Sequence, residues 1–135
     1  MTTITHLTGT ATFTAWDEEP GWDSGAPVPR LSHAQVTFAY RGDIEATSTS
    51  QSVMHYTDEA SGVTVGVERV EGNVDGRPGA CALRHEGTFG PDGVEVRWAV
   101  VPGSGTGALA GATGSGGYSV PIHDKEWSWH LDLER

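Results

Sequence analysis

No stretch of this chain carries an amphipathic helical stripe. Apolar and polar residues instead alternate with a period of two, in segments rich in Val, Thr and aromatic side chains that are cut by Gly, Pro and Asp. That period puts successive side chains on opposite faces of an extended strand, so the chain is restricted to sheet. Candidate strands run over roughly 6–16, 31–41, 43–56, 62–72, 79–89, 93–102, 108–119 and 126–134. Eight strands in 135 residues point to an all-β closed barrel or a sandwich, built as one domain over 1–135. One long stretch breaks the pattern, DEEPGWDSGAPVPR at 17–30, whose prolines forbid strand or helix interiors and which is long enough for a lid or mouth loop.

Turn chemistry fixes the register of three strands. In NVDGRPG, the pair Asp75 and Gly76 is the favoured two-residue type I′ turn, which sets Val74 opposite Arg77. Counting outward, Glu68 faces Leu83 and Gly66 faces His85. The connection FGPDGV pairs Phe89 with Val94, which places His85 opposite Trp98 and Leu83 opposite Val100. One face of the three strands then carries Val70, Cys81, Leu83, Phe89, Val94, Val96, Trp98 and Val100, with Glu68 and His85 among them, and the other carries Arg69, Arg84, Glu86, Glu95 and Arg97. The segregation marks the first face as interior and the second as a solvated or subunit-facing charge ladder. An acid and an imidazole on an apolar wall need an explanation, because an unpaired buried carboxylate is expensive. Glu68 should share a hydrogen bond or proton with His85, one diagonal step away, or stay protonated, and either state makes it a poised acid or base. The alternative is that the pair only satisfies itself and holds the register.

The glycine-rich stretch VVPGSGTGALAGATGSGGYSV, 100–120, contains Gly105, Gly107 and Ala110 in the spacing of a dinucleotide fingerprint. Such a fingerprint needs a helix behind it to supply N–H groups and dipole. Gly111, Gly114, Gly116, Gly117 and Pro121 follow instead, and each interior glycine costs a helix about 1 kcal/mol. The stretch holds no lysine for a phosphate loop. It reads as a tight turn followed by a glycine-rich strand lying close against a neighbour, with Ser104 and Thr106 serving the turn.

Charge and composition exclude further classes. The formal net charge is -10, from 8 Lys and Arg against 18 Asp and Glu, so the field repels phosphate backbones and no nucleic-acid partner is expected. No run of apolar residues is long enough for a membrane helix, and the N-terminus MTTITHLTGT lacks the basic and apolar regions of a signal peptide, so a soluble cytoplasmic protein with no membrane partner is expected. The single Cys81 fits a reducing compartment and reads as a small apolar filler. His6, His33, His55, His123 and His130 show no paired ligand spacing, so no metal site is expected.

Several motifs in one order, TFTAWDEEP, RGDIEATST, GVERVEGNVDGRPGACALRHEGTF, VVPGSGTGALAGATGSGG and the closing WHLDLE, resemble the small bacterial proteins of domain-of-unknown-function family 3224, over nearly the whole chain. The turn GTG-x-L-x-G-x-x-G also resembles one in dirigent proteins. The resemblance implies a single eight-stranded antiparallel barrel of the allene oxide cyclase-like type. It also implies a homo-oligomer, dimer or trimer, with a small apolar molecule held inside and steered without a cofactor. Glu68 and His85 are then the candidate catalytic pair. Trp98 is a core residue or a stacking platform for the ligand, and Leu83 and Phe89 share its face. Trp16 and Trp22 flank the DEEPG segment and close one mouth over a ligand or plug that end, and Tyr40 and Tyr56, near strand ends, are placed to donate phenol hydrogen bonds at the rim. The competing reading is a carrier that binds without turnover.

Overall fold

The computed structural model describes residues 3–21, 23–121 and 124–135, and every regular element among them is a strand. The strands are β1 (Ile4–Glu19), β2 (Arg30–Gly42), β3 (Ile44–Tyr56), β4 (Gly62–Val74), β5 (Arg77–Gly90), β6 (Gly93–Val100), a two-residue β7 (Thr106–Gly107), β8 (Thr113–Pro121) and β9 (Trp127–Glu134). Apart from β7, each pairs antiparallel with the next, β6 with β8, and β9 returns to β1 through Ile4↔Glu134 to Ala11↔Trp127. The result is a closed eight-stranded antiparallel barrel, which leaves no long strand edge unpaired. No helix long and apolar enough to cross a membrane occurs among the described residues.

The register read from the Asp75–Gly76 turn holds throughout. Both turn residues have positive φ, 51° and 80°, as the I′ geometry requires. Val74 lies opposite Arg77, Glu68 opposite Leu83 and Gly66 opposite His85, and His85 opposite Trp98 and Phe89 opposite Val94. Glu68, His85, Trp98, Leu83 and Cys81 are buried. Arg69, Arg84, Glu86, Glu95 and Arg97 stand outside, with Arg97 bonded to Glu86 at 3.3 Å, both side chains largely exposed. On β9, Trp127, Trp129, Leu131 and Leu133 point inward and Ser128, His130 and Glu134 outward. The outer face of β3 and β4 also exposes Val53, Val63, Val65 and Val67.

Two expectations are corrected. The first strand does not stop at 16 but continues to Glu19, paired with β2 as far as Glu19↔His33, and a bulge between Phe13 and Ala15 adds a residue to β1. The extra residue changes the parity of the strand. Phe13 faces Phe38 before it, and Trp16 and Glu18 face Val36 and Ala34 after it, so all three point into the barrel. The irregular segment is therefore shorter, comprising Pro20, Gly21 and 23–29 among the described residues. The second correction concerns the glycine-rich stretch, where the strand starts at Thr113 and not at 108. After β7, residues 108–111 form consecutive turns, with Leu109 N–H bonded to Thr106 O and Ala112 N–H to Leu109 O at 3.0 Å. Ala108, Leu109 and Ala112 are buried with Leu7, Ile44, Val74, Val100 and Leu133, and they close the end of the barrel where β5 begins and β6 ends. As expected, Ser104 serves the turn: its hydroxyl donates to Val101 O at 2.6 Å and accepts from Ala82 N–H at 3.0 Å.

Large interior rings stand opposite glycines. A Cβ on Gly66 would sit 2.8 Å from His85 Cε1, one on Gly62 2.8 Å from Phe89 Cζ, and one on Gly9 2.7 Å from Trp129 Cζ2. Gly116 on β8 faces Trp98, whose indole N–H crosses it to donate to the carbonyl of His130 at 3.2 Å. The glycines of the barrel wall thus make room for side chains too large for a cylinder of eight strands.

Candidate functional site

With one end closed by Leu109, the other end holds a cavity of about 260 Å³. Its mouth is formed by Phe13 and Trp16, each 47% exposed, and its walls by Phe38, Met54, Phe89, Val96, Tyr118 and Trp127. The rings interlock edge to face: Trp98 packs on Tyr40 and Tyr118 at 6.0 and 5.2 Å between centroids, and Phe38 on Trp127 at 6.0 Å. Two polar clusters interrupt this apolar lining.

The inner cluster contains both candidate catalytic residues. Glu68 on β4 is 2% exposed, and its Oε2 accepts a hydrogen bond from the Tyr40 hydroxyl on β2. His85 on β5 is bonded through Nε2 to Ser52 Oγ at 3.0 Å, and Ser52 to Ser50 at 3.2 Å, both on β3. The two residues line one cavity, but the hydrogen bond expected between them is replaced by two separate ones. β3, which pairs with β4, and β2, which pairs with β3, supply the partners. Burial pushes the Glu68 carboxyl up to about 7, against the opposing pull of the Tyr40 hydroxyl. Burial also lowers His85 below the ordinary imidazole value and so favours the neutral ring. Tyr40 and Tyr118 are raised by burial and then by the charge on Glu68. Cys81, buried and free, is pushed up to about 11 by the same desolvation. A carboxyl titrating near 7 beside a neutral imidazole can give and take a proton under the same conditions.

The outer cluster is one the sequence reading missed. Glu18, turned inward by the bulge, accepts from Ser32 Oγ at 2.9 Å, Tyr56 hydroxyl at 2.5 Å and Trp16 Nε1 at 3.1 Å. Tyr56 is held from its other face by Arg30, whose guanidinium lies 4.2 Å from the ring centroid. Burial, then the contact with Glu18, raises the Tyr56 phenol well above its ordinary value, so it acts as a donor.

Of the remaining candidates, Trp98, Trp16, Tyr56 and Phe89 line the cavity. Leu83 does not: it is packed in the core toward the closed end. Tyr40 is not at the rim but buried behind the lining, and meets the site through its hydroxyl on Glu68 and its ring against Trp98 and Phe38. Trp22 and His123 lie outside the described residues. His6 pairs with Asp132 on the outer surface. Glu18 was obscured because strict alternation past Phe13 sends Trp16 outward. A tryptophan out of phase with the apolar face was the available sign of a bulge. Tyr118 was hidden among glycines, although it pairs with Trp129 across β8 and β9.

A closed up-and-down barrel with one plugged end and one aromatic, acid-bearing cavity defines the class. The family described as Protein of unknown function (DUF3224) matches residues 7–133, and the chain belongs to it. A crystal structure of a protein of unknown function from the same family, from Shewanella oneidensis MR-1, superposes with a TM-score of 0.78 at 24% identity, over 97% of this chain and 96% of that one. No curated protein is significantly similar to the chain.

Proposed function

We propose that the barrel encloses a small apolar molecule admitted between Phe13 and Trp16, and that Glu68 and His85 act on it as acid and base in a cofactor-independent isomerisation or cyclisation. The observation that carries this reading is the Glu68 carboxyl, titrating near 7 in the wall of an aromatic cavity of about 260 Å³. Protonated Glu68 gives a proton, neutral His85 takes one, exchange with solvent through the mouth returns His85 to neutral and Glu68 to its protonated form, and the product keeps every atom of the substrate, so no oxidant enters the balance. The resemblance to allene oxide cyclase-like barrels supports the same reading. A carrier role is favoured by one specific observation: Glu68 and His85 are each satisfied by a separate partner, Tyr40 and Ser52, as structural groups would be.

Incubation with apolar metabolites of the host, followed by mass spectrometry of retained and released compounds, separates the readings. An isomerase depletes one compound and accumulates another of the same mass. Glu68→Gln, which keeps shape and hydrogen bonding but cannot transfer the proton, should retain that compound and lose at least 100-fold of its conversion, the lower range for removing a general acid. A carrier returns it unchanged from both proteins. Retention of nothing by either protein contradicts enclosure itself.

A further inference from the structure

We infer that the molecule held in this cavity is an aromatic or apolar amine, with its ammonium group at Glu18 in the mouth. The inference rests on the enclosure proposed above and names the ligand class. Eight aromatic rings line the space, together with two carboxyl side chains, Glu18 and Glu68, and among the described residues no Lys or Arg is part of that lining. The faces of Trp and Tyr rings attract cations and repel anions. Glu18 offers the ammonium a preformed acceptor: three neutral donors from three strands hold its two oxygens in place, so little is spent in ordering it. Trp16, beside it and 47% exposed, presents indole surface where the head would sit. An anionic ligand meets the opposite arrangement, the Glu18 carboxyl at the mouth and a protein of net charge -10, while the Arg30 guanidinium lies over the Tyr56 ring and is not part of the lining. The inner end, where Glu68 and His85 meet Val96 and Trp98, then receives the apolar body.

Calorimetric titration with tryptamine, tryptophol and indolepropionate, which share one ring system and differ in the head group, tests the assignment. Tryptamine should bind at least tenfold more tightly than indolepropionate, with tryptophol between. Glu18→Gln should bring the three within about threefold, which is under 1 kcal/mol at the 1.4 kcal/mol that separates each factor of ten. Equal or tighter binding of the alcohol or the acid overturns the amine assignment and leaves enclosure standing. An amine preference that persists in Glu18→Gln overturns the placement at Glu18 and assigns it to the net charge. If none of the three binds, enclosure fails, and the ligand class with it. The comparison on the unmodified protein decides the ligand class even if the variant does not fold.

Discussion

Raising the pH from 4.5 through 7 is expected to destabilise the barrel relative to its Glu68→Gln variant by on the order of 3 kcal/mol. Glu68 titrates at the ordinary 4.5 when unfolded and at about 7 when folded, and each pH unit in that window is worth about 1.4 kcal/mol. The folded state binds the extra proton between those values, so unfolding releases it and stability falls as pH rises. Below 4.5 both states are protonated, the full contribution is present, and the slope vanishes. His85 acts in the opposite sense, because its folded value is depressed below 6.5: as pH falls, the unfolded chain takes up a proton that the barrel refuses. Subtracting the Glu68→Gln curve removes the His85 contribution. Tyr40, Tyr118 and Cys81, which also feel Glu68, titrate above this window. Urea unfolding of both proteins across the range is the measurement, and parallel curves would show that Glu68 is not held in a desolvated site.

The second large effect is expected from Trp98→Ala, at about 3–5 kcal/mol. Trp98 is 4% exposed, packs on Tyr40 and Tyr118, and donates its indole N–H to the His130 carbonyl. The loss combines removed apolar burial, an enlarged void beside an existing cavity, and a carbonyl deprived of its donor. Opposite it stands Gly116, which has no side chain to collapse into the space. Trp16→Ala makes the control, because a ring 47% exposed at the mouth loses less on removal; about 1 kcal/mol is expected there. Denaturant midpoints that fall equally for the two variants would contradict the division into a packed interior and an open mouth.

The parts of this architecture that were legible in the sequence are those set by local chemistry. The Asp75–Gly76 turn fixed β4 against β5, and the short Gly90–Gly93 connection carried that register to β6, so Glu68, His85 and Trp98 were placed on the inner wall by counting alone. What escaped depends on registers that no tight two-residue turn sets. Tyr40 and Ser52, the partners of Glu68 and His85, come from β2 and β3, which follow β4 in the sheet: Ser52 lies opposite Gly66, itself opposite His85, and the longer 57–61 connection offered no two-residue turn from which to count that register. The inward turn of Glu18 depends on one additional residue in β1, a feature that period-2 counting cannot carry through. Leu109 sits in a segment whose alternation resembles strand, yet it fills the barrel end, because glycines at 107 and 111 with φ of 58° and 74° fold the chain into turns around it.

The central claim is that this interior receives a ligand, and blocking it tests that claim most directly. Ala34 lies between Glu18 and Ser52 on the inner wall, 1% exposed, and lines the cavity. Ala34→Trp places an indole in the ligand's space at a stability loss of about 1–3 kcal/mol, and Ala34→Phe is a milder version if the larger ring prevents folding. The measurement is a fluorescence titration with the neutral probe phenylnaphthylamine on unmodified and blocked proteins that show the same circular dichroism. The account predicts saturable one-to-one binding to the unmodified barrel and at least tenfold weaker binding to the blocked one. Equal binding to both, or no saturable binding to the unmodified barrel, would contradict it.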